Sequence, residues 1–92
     1  MSMALDLTKM VLQVIFSEIP ENVLKAVEEK EGATRNEIID MIANVPRIQI
    51  DTPEYEKIHN YCIDFRNHTE YFEETVDTIH DLIVEAKSLK VA

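Results

Sequence analysis

Glycine, cysteine and basic residues are all scarce in this 92-residue chain, and each scarcity closes off a class of protein. A single glycine, Gly32, leaves no material for a glycine-rich phosphate loop or a G-x-S-x-G nucleophile elbow. A single cysteine, Cys62, excludes an internal disulfide and a cysteine-based zinc site, and is best read as a small buried hydrophobe. Nine Lys and Arg against 18 Asp and Glu give a formal charge of −9. A surface of that sign repels nucleic acid and anionic membranes and attracts basic proteins. Long charge-free apolar runs are missing too. The segment from Met1 to Ile19 is apolar but carries Asp6, Lys9 and Glu18, lacks a basic leader and a small-residue cleavage site, and has too short a charge-free run to span a bilayer. We expect no direct contact with DNA, no membrane span and a cytoplasmic location.

What remains is a helix-forming composition, 46% apolar, of a size that makes one domain over residues 1–92. The strongest pattern is C-terminal. Thr52-Pro53-Glu54-Tyr55 has the form of an N-cap followed by a pre-set first turn, and neither Gly nor Pro follows it. From there Tyr55, Ile58, Cys62, Phe65, Thr69, Phe72, Val76, Ile79, Ile83 and Ala86 alternate steps of three and four without a slip. That spacing is a heptad seam and predicts one helix over about 53–88. Such a helix is about 54 Å long at 1.5 Å per residue, whereas a globule of this chain length is about 30 Å across. The seam residues Tyr55, Ile58, Cys62, Phe65, Phe72, Val76, Ile79 and Ile83 are therefore expected to hold a homodimer. One feature opposes a straight helix: Asn67, His68 and Thr69 are indifferent helix formers, and Asn67-His68-Thr69-Glu70 itself resembles a cap.

The other side of this segment carries a line of carboxylates, Glu70, Glu74, Asp77, Asp81 and Glu85, with Glu73 beside it. No Lys or Arg lies between Glu70 and Glu85. Like charges at i,i+4 each cost a helix roughly 0.2–0.5 kcal/mol, so an unbalanced row is either a solvated face or a surface that meets something basic. Residues 51–85 have a net charge of −8 and residues 1–50 only −3, which puts the acidity on the long helix.

Upstream, three shorter helices are expected, at about 3–18, 20–31 and 35–45. In the first, Ser2, Asp6, Lys9, Gln13 and Ser17 form one narrow polar line, so most of its circumference should be buried; the β-rich run Val11 to Phe16 is a competing strand pattern. The second has Val23, Leu24 and Val27 inward and stops at Gly32. Thr34-Arg35-Asn36-Glu37 is a capping box that opens the third, whose inward residues are Ile38, Ile39, Met41, Ile42 and Val45 and whose stop is Pro46. Arg47 to Asp51 reads as an extended linker.

No catalytic residues or cofactor site can be assigned. Asp77-x-x-His80 and His59-x-x-Cys62 each set two metal-capable groups one turn apart, but histidines flanking a seam explain both more simply. The pair of helices around Gly32 has the outline of a helix-turn-helix, yet the element that follows, where phosphate-binding bases are needed, begins Glu54-Tyr55-Glu56.

Small size, an acidic helical character, the lack of catalytic motifs and the expected dimer together resemble the acidic DNA-mimic inhibitors of bacteriophages, in particular the small anti-restriction proteins of T-even phages. The resemblance carries over no individual residue. It implies a non-enzymatic inhibitor that, in the host cytoplasm, occupies the DNA site of a basic DNA-binding protein such as a restriction enzyme or a nucleoid protein. The alternative from the residues alone is a helical adaptor or transcription-associated regulator that binds through its apolar seam. The architecture expected is all-α, three short helices packed on one long C-terminal helix in a dimeric bundle.

Overall fold

The computed structural model describes residues 3–45, 48 and 51–91. Among them there are five α-helices and no strand: α1 Met3–Glu18, α2 Glu21–Glu31, α3 Arg35–Ala43, α4 Pro53–Asn67 and α5 Phe72–Val91, with a 3-10 turn Thr69–Tyr71 between the last two. The run Val11 to Phe16 is helical. The Pro46 stop, Ser2 and most of the linker from Arg47 lie outside the described residues.

Local chemistry accounts for the helix ends. Gly32 closes α2 in the left-handed region, at φ 67°, with its N–H donating to the Glu28 carbonyl. The capping box is formed: the Glu37 N–H donates to the Thr34 hydroxyl at 3.3 Å, and the Thr34 N–H donates to the Glu37 carboxylate. A cap of this kind is worth about 1 kcal/mol. α3 ends at Ala43, two residues short of the expected Val45, because Asn44 turns at φ −90° and ψ 0° and its side-chain amide donates to the Asp40 carbonyl. Pro53 occupies the first turn of α4, with Thr52 extended before it, although the Thr52 hydroxyl makes no capping hydrogen bond.

The single long helix over 53–88 is not what forms. α4 stops at Asn67, His68 is extended at φ −139° and ψ 108° while its N–H donates to the Asp64 carbonyl, and the 3-10 turn redirects the chain into α5. The three poor helix formers 67–69 make the break cheap. Burial makes it favourable. A straight helix of about 54 Å would leave half its seam in water, and the folded chain measures only 38 Å along its longest axis. Folded back, α4 and α5 lie against each other, and α5 also packs on α2 and α3.

The expected dimer seam is consumed by this arrangement. Tyr55, Ile58, Cys62, Phe65, Val76, Ile79 and Ile83 are buried within one chain, and Phe72 packs partly buried against the same core. Thr69 alone of the ten seam positions is exposed, at the turn. The three–four spacing thus marks the inner faces of an intramolecular pair, so it gives no reason to invoke a second chain. The same core takes Leu12, Ile15 and Phe16 from α1, Val23 and Val27 from α2, and Ile38 and Ile42 from α3.

The helix α1 departs from expectation in the opposite direction. Instead of being covered on most of its circumference, it buries Thr8, Leu12, Ile15 and Phe16 and leaves Leu7, Met10 and Val14 exposed.

Candidate interaction surfaces

Two surfaces stand out, one charged and one apolar. On the charged one, Glu70 sits in the 3-10 turn, Glu73, Glu74, Asp77 and Asp81 are exposed along α5, and Glu85 is half-buried. Three of these six are drawn into the fold. The Tyr61 hydroxyl donates to Glu74 Oε1 at 2.5 Å, a bond that holds the phenol proton and raises its pKa above the ordinary value. Lys30 Nζ reaches across from α2 to Asp77 Oδ1 at 3.0 Å. Glu85 lies with Asp81 and Leu82 in a shallow groove closed from the α4 side by Glu54 and Lys57. Glu70, Glu73 and Asp81 remain outward, with Asp81 83% exposed at its side chain. Lys57, which lines that groove, is placed over the Tyr61 ring at 6.0 Å. Sequence spacing found the row but not these cross-helix partners, which depend on the fold-back at His68.

Two of the histidines lie against carboxylates. His80 Nε2 lies 2.6 Å from Glu31 Oε1, and Lys87 bonds the other oxygen of the same carboxylate, whose side chain is only 5% exposed. Glu31 therefore ties the end of α2 to two turns of α5. His59 Nε2 lies 3.6 Å from Glu18, which Arg66 also approaches at 3.7 Å. Asp77 and His80 thus point to different partners, Lys30 and Glu31. Cys62 turns inward, its thiol donating to the Ile15 carbonyl at 3.7 Å, while His59 faces Glu18. Neither metal-capable pair converges, and the described residues contain no cluster of three such groups. Burial, with a smaller push from the Glu18 charge, raises the Cys62 thiol to about 12, so it is not a nucleophile at neutral pH.

The apolar surface was missed by sequence reasoning. Leu7, Met10 and Val14 are 49%, 62% and 61% exposed, and steps of three and four put them in one line. Beside that line runs an open groove of about 500 Å³, floored by Val11, Ile15 and Tyr55. Asp51, Glu56 and His59 form its rim. The available signal was quantitative: a 16-residue helix with so few polar positions presents more apolar surface than a core of this size can cover. At the back of the groove burial raises the Tyr55 phenol above its ordinary range, an effect that the neighbouring Thr8 hydroxyl opposes only in part.

The chain matches no protein-family model, no curated protein and no solved structure. None of the helices is long and apolar enough, among the described residues, to cross a membrane.

Proposed function

We propose that this protein is a non-enzymatic binding protein whose acidic α5 face occupies the basic, nucleic-acid-binding surface of another protein. The observation that carries the reading is the exposed row formed by Glu70, Glu73 and Asp81, flanked by the tethered Glu74 and Asp77. Glu73, Asp77 and Asp81 stand at helical i,i+4 positions on α5, where neighbouring carboxylates lie about 5–6 Å apart, close to the step between phosphates on one strand. The two tethers have a consequence for such a role. Tyr61 and Lys30 hold Glu74 and Asp77 in fixed positions while only Lys30 neutralises charge, so part of the row is pre-organised before any partner arrives. The likeness to acidic phage inhibitors suggests the class of target, a restriction enzyme or a nucleoid protein. A homodimer, which would set two rows side by side, is compatible with this role and is not required for it.

The test is competition against a labelled DNA duplex for a purified bacterial nucleoid protein, run at 50 and 200 mM salt. The parent should displace the duplex, and less effectively at the higher salt because exposed charges are screened. Glu70→Gln, Glu73→Gln and Asp81→Asn together should weaken displacement at least tenfold while leaving thermal stability equal or slightly higher, since like-charge repulsion is relieved. Equal displacement by parent and variant would reduce the row to a solvated face. A seam-binding adaptor is not favoured, because its seam is buried within the chain.

A further inference from the structure

We propose that the outer face of α1, with the groove beside it, is a docking site for an amphipathic helix from another protein, one that carries Lys or Arg on either side of its apolar stripe. The proposal concerns a different surface from the α5 row and does not rest on it.

Three observations converge. First, Leu7, Met10 and Val14 form an uncovered apolar line, and large side chains in a row are what a soluble domain ordinarily hides or uses. The line spans about 10 Å along the helix axis, two turns, which is the reach of an i, i+3, i+7 anchor set on an incoming helix. Second, the line does not stand alone. Val11 and Val14 link it to the groove floored by Ile15 and Tyr55, so an incoming side chain has a recess to enter and not merely a flat patch to touch. Third, the border is acidic on both sides. Asp51 and Glu56 edge the groove, and Asp6, with Gln13, borders the line on its far side. Lys9, the base that α1 carries, is committed elsewhere, bonded to Asp40 of α3 at 2.8 Å. His59 at the rim is 3.6 Å from Glu18.

Charge decides which occupant fits. A second copy of this chain laid on the face would bring Asp6, Asp51 and Glu56 against their own counterparts, and the chain as a whole is at −9. An anionic lipid surface meets the same repulsion. A helix with an apolar stripe flanked by bases satisfies both the line and its border.

The experiment uses the full chain and three labelled 16-residue synthetic peptides. One has Leu at i, i+3, i+7 and i+10 with flanking Lys; the second has the same composition with the leucines scrambled; the third has Glu in place of Lys. Fluorescence anisotropy should show the first peptide binding at least tenfold more tightly than either control. Met10→Gln together with Val14→Ser should cost at least tenfold in affinity, with the melting temperature unchanged because both positions are already solvated. Glu70→Gln, Glu73→Gln and Asp81→Asn together should leave peptide affinity within twofold, which separates this site from the α5 row. Equal binding of the patterned and scrambled peptides would overturn the proposal, leaving only attraction to an acidic surface. Absence of binding would overturn it too. So would a parent dimer that Met10→Gln and Val14→Ser dissociate, or a preference for phosphatidylglycerol vesicles over the patterned peptide.

Discussion

Phe65 and Phe72 face each other with ring centroids 5.9 Å apart and planes inclined at 49°. They are seven positions apart, so on a straight helix they would lie on one side but about 10.5 Å apart along the axis. The extended backbone at His68 and the 3-10 turn after it bring them together, and the contact between Tyr61 and Tyr71, 6.4 Å between ring centroids, flanks the same corner. An aromatic pair of this kind contributes about 0.5–1.5 kcal/mol beyond its burial. It is the clasp of the hairpin formed by α4 and α5.

The corner is held against a competing straight helix, and the balance can be shifted. Asn67→Ala, His68→Ala and Thr69→Ala together raise helix propensity by about 1.5–2 kcal/mol. Because the seam spacing continues unbroken through these positions, the straightened helix would carry α5 away from its own chain and onto a second one, remaking the same buried contacts by exchange. The triple variant should show a larger dimer fraction than the parent in light scattering at equal concentration. An unchanged mass distribution would mean that packing around Phe65 and Phe72, and not local propensity, sets the corner.

Glu31 should be the most costly surface-proximal carboxylate to neutralise. Its two oxygens are taken by His80 and Lys87, and its side chain is nearly enclosed. Glu31→Gln keeps the shape but replaces charge-assisted bonds by neutral ones, and should lower stability by about 1–3 kcal/mol in urea denaturation. Asp81→Asn, at a side chain 83% exposed, should change it by less than about 0.5 kcal/mol. Similar effects from both would show that the bridge contributes no more than an ordinary surface pair.

The fold should weaken at alkaline pH through buried groups that resist ionisation. An unfolded thiol releases its proton near 9, and Cys62 in the fold holds it to about 12. Between those values the unfolded state binds fewer protons than the native one, so stability falls as pH rises, by about 3 kcal/mol at pH 11. Tyr55, whose phenol is also raised by burial, acts in the same direction. Cys62→Ala should flatten the decline in melting temperature between pH 8 and 11. The parent thiol should react with a disulfide reagent at pH 8 only after denaturant is added.

Much of this protein is readable from residue order alone, wherever the cause is local. The helical class follows from composition and three–four periodicity. Gly32 stops α2 because only the left-handed conformation closes that turn, and Thr34 with Glu37 opens α3 because the two side chains answer each other's backbone N–H groups. The row from Glu73 to Glu85 is likewise a matter of spacing on one helix, whereas Glu70 falls in the turn before it. The tertiary structure decided what a periodic pattern leaves undetermined, namely which surface each apolar stripe meets. A heptad seam has the same spacing whether its partner is another chain or its own continuation. The choice fell to the second because a turn at His68 buries both halves at once. It also decided that Leu7, Met10 and Val14 stay outside, since α3 and α4 cover only one side of α1. Finally, it brought Lys30, Tyr61, Glu31 and His80 to their partners, contacts between residues 13 to 49 positions apart that exist only once the helices are packed.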